Sequence, residues 1–152
     1  MKKTMSAVLA AGFALGVAGA SYAALDAAAV IKARQDGMKS QGGALKGLGQ
    51  GLGSGASAAD LKQFSAKLVE TSTQLPGWFP KGSGPESGVK TKAKPEVWTD
   101  AAGFKAAADN LKTQAAKLDQ TVAGGDMDAI KAQFGATRAA CKSCHDKYEV
   151  QD

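Results

Sequence analysis

The sequence predicts an all-α fold, an antiparallel four-helix bundle, and three observations carry that expectation. Four segments repeat their apolar residues at helical spacing, and no segment sustains the alternation of a strand. All four prolines, Pro76, Pro80, Pro85 and Pro95, fall in one stretch between Leu75 and Val97, and helix interiors cannot accommodate them. The other two connections are short. Short, long and short links therefore join the four helices as two antiparallel pairs.

Each element has its own signal. Lys2 and Lys3 precede an uncharged stretch from Ala7 to Ala20, and Ser21-Tyr22-Ala23 supplies small residues at a cleavage site. That pattern is a secretory signal peptide over residues 1–23, with an apolar core too short for a comfortable membrane span. It leaves one domain over residues 24–152, and later apolar residues are interleaved with Lys, Asp or Gln, so no second span is expected. The first helix starts near Leu25, with Ile31, Met38, Leu45 and Leu52 every seven residues and Leu48 between. Gly37, Gly42, Gly43 and Gly47 lie inside it, each costing ~1 kcal/mol relative to Ala. Either that helix breaks early or something large and flat packs on its backbone.

The second helix follows an N-cap at Ser57, with Asp60 three residues on, and shows Leu61, Phe64 and Leu68 inward. The third begins near Thr99 and carries Phe104, Ala108, Leu111, Ala115, Leu118 and Val122. Gly124-Gly125 ends it and Asp126 caps the fourth. That last helix carries Met127, Ile130, Phe134, Thr137, Cys141, Cys144 and Tyr148 on one side.

Composition excludes several function classes. Of 152 residues, 44% are apolar and 22% charged, which rules out wholesale disorder. The formal charge is +5, from 19 Lys and Arg against 14 Asp and Glu. Without residues 1–23 the bases number 17 against the same 14 acids, a charge of +3. The lysines are dispersed and only two arginines occur, so no basic cluster marks a nucleic-acid surface. Both cysteines and the single histidine share one window, Cys141-Lys142-Ser143-Cys144-His145. A Cys2His2 zinc site lacks its second histidine, and any Ser-His-Asp apparatus has only His145 to use.

At 100° per residue, Cys144 lies 60° to one side of Cys141 and His145 40° to the other. All three side chains project within one 100° arc of a helix face. Two thiols so placed can add to the two vinyl groups of one porphyrin, with the next imidazole held under the iron. A thioredoxin-type pair belongs at a helix start after a strand, whereas this window lies late in a helical chain. Zinc needs a fourth ligand from a carboxylate, and a structural disulfide leaves the placing of the only histidine unexplained. The window is read as the attachment site of one haem c, with iron held by His145.

Here the sequence resembles the class II c-type cytochromes, cytochrome c′ and its low-spin, methionine-ligated relatives. The likeness lies in Cys-Lys-Ser-Cys-His-Asp-Lys-Tyr near the C-terminus and in Arg34-Gln35-Asp36-Gly37-Met38-Lys39 with Gly42. It extends to Leu75-Pro76-Gly77-Trp78-Phe79-Pro80 with Gly82-Ser83-Gly84, and to Lys94-Pro95-Glu96-Val97-Trp98. The resemblance implies a bundle with haem c near its C-terminal helix, Arg34 among the cofactor-binding residues, and Met38, four after Arg34, facing the iron's open side.

Methionine sulfur at that position makes a His145/Met38 pair suited to electron transfer. The same Met38 also fits an ordinary core stripe. Gly37 and Gly42, which would let the backbone approach the haem, favour ligation, and the Trp78–Gly82 loop and the Met38-Lys39 run with Gly42 resemble the low-spin branch of the family. The expectation is therefore a periplasmic monohaem cytochrome carrying single electrons between redox proteins, with no catalytic residues. The alternative is a five-coordinate protein of the cytochrome c′ type that binds nitric oxide or carbon monoxide. No nucleic acid and no stable membrane insertion are expected, and the resemblance admits a homodimer. Relatives often carry Arg or Lys four residues after the haem histidine. This chain has Glu149 there, a carboxylate one turn from His145, though a solvated helix-end Glu is the plainer reading.

Overall fold

The computed structural model describes residues 18–151. The expected signal peptide lies mostly outside them, and its cleavage point falls in the first turns of α1. The elements are α1 (Ala18–Ser54), α2 (Ala58–Gln74), a one-turn α3 (Glu96–Thr99), α4 (Ala101–Gly124) and α5 (Met127–Tyr148). Among the described residues there is no strand, only an isolated antiparallel bridge between Ala93 and Glu149. The four long helices form the expected bundle, α1 against α2, α2 against α4 and α4 against α5. No helix among these residues is long and apolar enough to cross a membrane.

Helix ends follow the capping residues. Ser57 and Asp60 form a complete capping box at the start of α2. Asp126 Oδ1 accepts from the N–H groups of Asp128 and Ala129 at the start of α5. Gly125 ends α4 in a left-handed conformation, φ 80°, and donates its N–H to Val122 O. The third helix starts at Ala101 with Asp100 as its cap, two residues later than expected, because Pro95–Asp100 turns separately as α3.

The glycines of α1 do not break it. A methyl group built on Gly37 would lie 2.6 Å from the Trp78 ring, and one on Gly47 2.5 Å from Phe64. Two flat side chains of this protein therefore lie against the helix backbone. For Gly37 this corrects the expectation that the close approach serves a haem.

Two apolar clusters fill the bundle. Leu48, Leu61, Leu68, Leu118 and Ile130 centre one, at the end where both short links turn. The other, around Leu75, Val97, Phe104, Leu111 and Tyr148, lies under the long connection and borders the candidate site. All six predicted core positions of α4 are buried.

Candidate functional site

A cavity of about 600 Å³ separates the middle of α1 from the C-terminal half of α5. From α1 it is lined by Met38, Gln41, Gly42 and Leu45, and from α5 by Cys141, Cys144 and His145. The 90–93 segment of the long connection forms a third side. Its floor is Val97, Phe104 and Tyr148 of the second cluster. The volume falls within the ~300–1,000 Å³ of cofactor and small-molecule sites.

Cys141, Cys144 and His145 come together as the helical arc predicts, because α5 continues unbroken to Tyr148. Both cysteines are free thiols, half-buried among apolar neighbours. Burial pushes the Cys141 thiol up. Cys144 is pushed up to about 11, by burial first and then by Cys141 and Glu149. Thiol exchange needs a low-pKa thiolate, so this environment is the opposite of a thioredoxin-type site. Among the described residues no group of three or more His, Cys, Asp and Glu is placed to hold a bare metal ion.

The imidazole of His145 is more than half exposed on the cavity's open side. Its Nδ1 lies 3.1 Å from Glu149 Oε2. Nearby, Asp100 ties the end of α5 to the start of α4. Its carboxylate accepts from Lys147 Nζ at 2.6 Å, Tyr148 Oη at 2.9 Å and Gly103 N–H at 3.2 Å. The Lys147 bond, then those of Tyr148 and Gly103, hold the Asp100 carboxyl below its ordinary range. The bond to Asp100 raises Lys147, and burial raises Tyr148.

Met38 is half-buried and packs on the second cluster. Gln41, one turn on, is only 7% exposed, and its Oε1 has no hydrogen-bond partner. A buried carbonyl left so costs ~1–3 kcal/mol, and the cavity is where its partner would come from. Gly42 presents open backbone there, with nothing within 4 Å of a built methyl group. Two thiols, an imidazole, an apolar floor, a bare backbone wall and one orphaned amide together fit a large, mostly apolar group with a few polar edges.

Arg34 lines the cavity, but its guanidinium serves the long connection. It donates to Ser83 Oγ at 3.0 Å, Ser83 O at 2.9 Å, Thr91 Oγ1 at 2.9 Å and Trp78 O at 3.4 Å. Its Cζ sits 4.8 Å from the Phe79 ring centroid. Burial lowers the pKa of this guanidinium, and Glu86 opposes the shift. Trp98 donates its Nε1–H to Phe79 O at 3.1 Å and Pro80 O at 3.2 Å. Both side chains hold the loop that closes the site. Sequence reasoning missed Gln41, since a glutamine in a helix gives no sign of burial. It also missed the 90–93 wall, whose lysines and threonine resemble any polar loop.

Comparison with known proteins agrees with this geometry. The family described as Cytochrome C′ matches residues 29–149. Cytochrome c′ of Rubrivivax gelatinosus is 50% identical over 82 residues, 54% of this chain and 63% of that protein. A cytochrome c′ structure described as having an unusual ligand-controlled dimer dissociation superposes with a TM-score of 0.75 at 26% identity. It covers 82% of this chain and 97% of its own. The nitric oxide complex of a mutant cytochrome c′ from Alcaligenes xylosoxidans superposes with a TM-score of 0.72 at 28% identity. The match covers 80% of this chain and 94% of that one.

Proposed function

The chain belongs to the cytochrome c′ family, whose proteins carry one covalently attached haem c, and from that premise we propose that it binds small gaseous ligands, nitric oxide or carbon monoxide, at a five-coordinate iron. This places the alternative reading of the sequence ahead of the methionine-ligated electron carrier. The observation that carries it is the placing of Met38, packed half-buried against the aromatic cluster as part of a wall facing the cavity. The nitric oxide complex of the Alcaligenes xylosoxidans protein supports the same choice.

In this reading Cys141 and Cys144 would hold the porphyrin through thioethers, and His145 would ligate its iron. The bound iron supplies a Lewis-acidic, redox-active centre for one diatomic ligand. The chain's own residues set access to it. Met38 and Leu45 give the opposite wall an apolar lining that excludes water, and Gln41 adds one polar contact. Arg34 keeps the connection closed over the pocket. No catalytic residue is assigned, because the only histidine is committed to iron. Export by residues 1–23 to the periplasm belongs to the proposal, as does pairing of two copies.

Absorption spectra of the purified holoprotein test the reading. We expect high-spin ferric iron, rapid carbon monoxide binding by the ferrous form, and little spectral change in Met38→Ala. Low-spin ferric iron with a weak long-wavelength sulfur-to-iron band, lost in Met38→Ala, would return the electron carrier to first place. Intact mass of residues 24–152 plus one haem tests attachment and processing together.

A further inference from the structure

Glu149 is where the chain leaves α5. Its φ of −117° and ψ of 138° are extended, and its N–H donates to His145 O at 3.0 Å. A residue in that conformation does not reach back to the side chain four before it by helical geometry alone. Here its direction is held by the 92–94 segment. Lys94 N–H donates to Tyr148 O at 2.9 Å and Val150 N–H to Lys92 O at 2.8 Å, bracketing Glu149 in the bridge with Ala93. The segment is anchored in turn. Thr91 Oγ1 accepts from Ala93 N–H at 3.1 Å and from Arg34 at 2.9 Å. A solvated helix-end glutamate has no need of such a bracket.

The bracket leaves Glu149 Oε2 3.1 Å from His145 Nδ1, within reach of a hydrogen bond from the imidazole. The two side chains are 55% and 37% exposed, and a contact so wet adds little to stability. What it fixes is a direction and a tautomer. We propose that Glu149 is a positioning residue for the axial imidazole, keeping Nδ1 protonated, Nε2 turned to the iron, and the ring a stronger donor than an unassisted histidine. A carboxylate acceptor behind a ligating imidazole raises its basicity, and that favours ferric over ferrous iron. The 92–94 segment gives the effect a structural origin, because it joins the buried Arg34 clamp to the ligand's outer nitrogen.

The proposal rests on the reading of His145 as the iron ligand, so the test must separate the two. Holoprotein is compared as wild type, Glu149→Gln and Glu149→Ala, by reduction potential and by the iron–imidazole stretching band of the ferrous form. Glutamine keeps the size and packing of the side chain without its charge, which guards against a variant that assembles poorly. Both variants should move the band to lower frequency and raise the potential, Ala more than Gln. An outer partner is worth about 10-fold or more in ligand strength, and tenfold in ferric preference is about 59 mV. An iron–imidazole band present but unmoved, with unchanged potential in both variants, overturns the role of Glu149 alone. No such band in the wild type overturns the five-coordinate, His145-ligated reading, and this inference with it.

Discussion

At the end of the bundle where both hairpins turn, Leu48, Leu61, Leu68, Leu118 and Ile130 meet with no exposed surface at all. At the other end Met38, Cys141 and Cys144 remain half-buried around a cavity of about 600 Å³, and aromatic rings and one buried arginine join only two buried leucines, Leu75 and Leu111. The first end is closed by its own side chains. The second leaves apolar surface turned toward a space of cofactor size. The same four helices thus carry a self-sufficient core at one end and a conditional one at the other. Stability and function are divided along the helix axis, not between domains.

The largest effect should come from preventing haem attachment. Burial of apolar surface contributes roughly 25 cal/mol per Å², and the cavity end cannot bury its share without a partner. In Cys141→Ser/Cys144→Ser, amide exchange should lose protection around Met38–Leu45 and Cys141–Tyr148. Protection should persist around Leu61–Leu68 and Leu118. Equal loss at both ends, or equal retention, breaks the comparison.

Next come two side chains of similar volume, one from each end. Leu118→Ala removes a fully buried leucine from the closed core and should cost ~2–5 kcal/mol, measured by denaturant unfolding. The cost should appear with or without haem. Arg34→Ala strips donors from Ser83, Thr91 and Trp78, at ~1–3 kcal/mol for each acceptor left buried and unpaired. That loss should appear mainly in the holoprotein, where the loop is closed, and should speed carbon monoxide entry.

The difference between the ends also governs what could be read from residues alone. The inward row of α4, from Phe104 to Val122, is periodic, and every position proved buried. The caps at Ser57 and Asp126 act on donors two or three residues away, so a local pattern finds them. The Cys141–His145 arc is equally local. What stayed hidden depends on partners far along the chain. Arg34 meets Ser83 and Thr91 across 49 and 57 residues, and Gly37 and Gly47 make room for Trp78 and Phe64. Periodicity says which face turns inward but not what it meets there. For the same reason Met38 fits a core stripe and a ligand position equally well.

A smaller effect should come from Gln41. Its buried carbonyl oxygen lacks a partner, so Gln41→Leu should stabilise the haem-free chain by about 1 kcal/mol. In the holoprotein the gain should vanish or reverse if the bound group satisfies the amide. Unfolding midpoints of both forms read this directly. An equal gain in both would show that the amide points at nothing in the assembled protein.

The smallest expected effect compares one carboxylate from each end under acid. At the closed end, burial alone would raise Asp119, but bonds from Lys62 at 2.8 Å and Ser65 at 2.6 Å prevail and its pKa is lowered. At the cavity end, Asp100 is lowered by Lys147, Tyr148 and the Gly103 N–H. A depressed folded-state pKa contributes stability that is complete above the unfolded value of about 3.9. That contribution is lost as pH falls through the lower folded value. Neither residue should therefore affect the pH dependence between 5 and 8. Below pH 4 the wild type should lose stability faster than Asp119→Asn or Asp100→Asn, each of which removes one of these titrations. For Asp119 the difference should stay below about 1 kcal/mol, since Lys62 remains largely in water. The two variants should nonetheless differ in kind. Asp119→Asn should shift global unfolding with or without haem. Asp100→Asn, which loosens the end of α5 beside His145, should alter the holoprotein's spectrum at low pH before the helices unfold. Acid titrations followed in parallel by far-ultraviolet circular dichroism and haem absorbance separate those outcomes, and coincident transitions in both variants would mean that the two ends unfold as one unit.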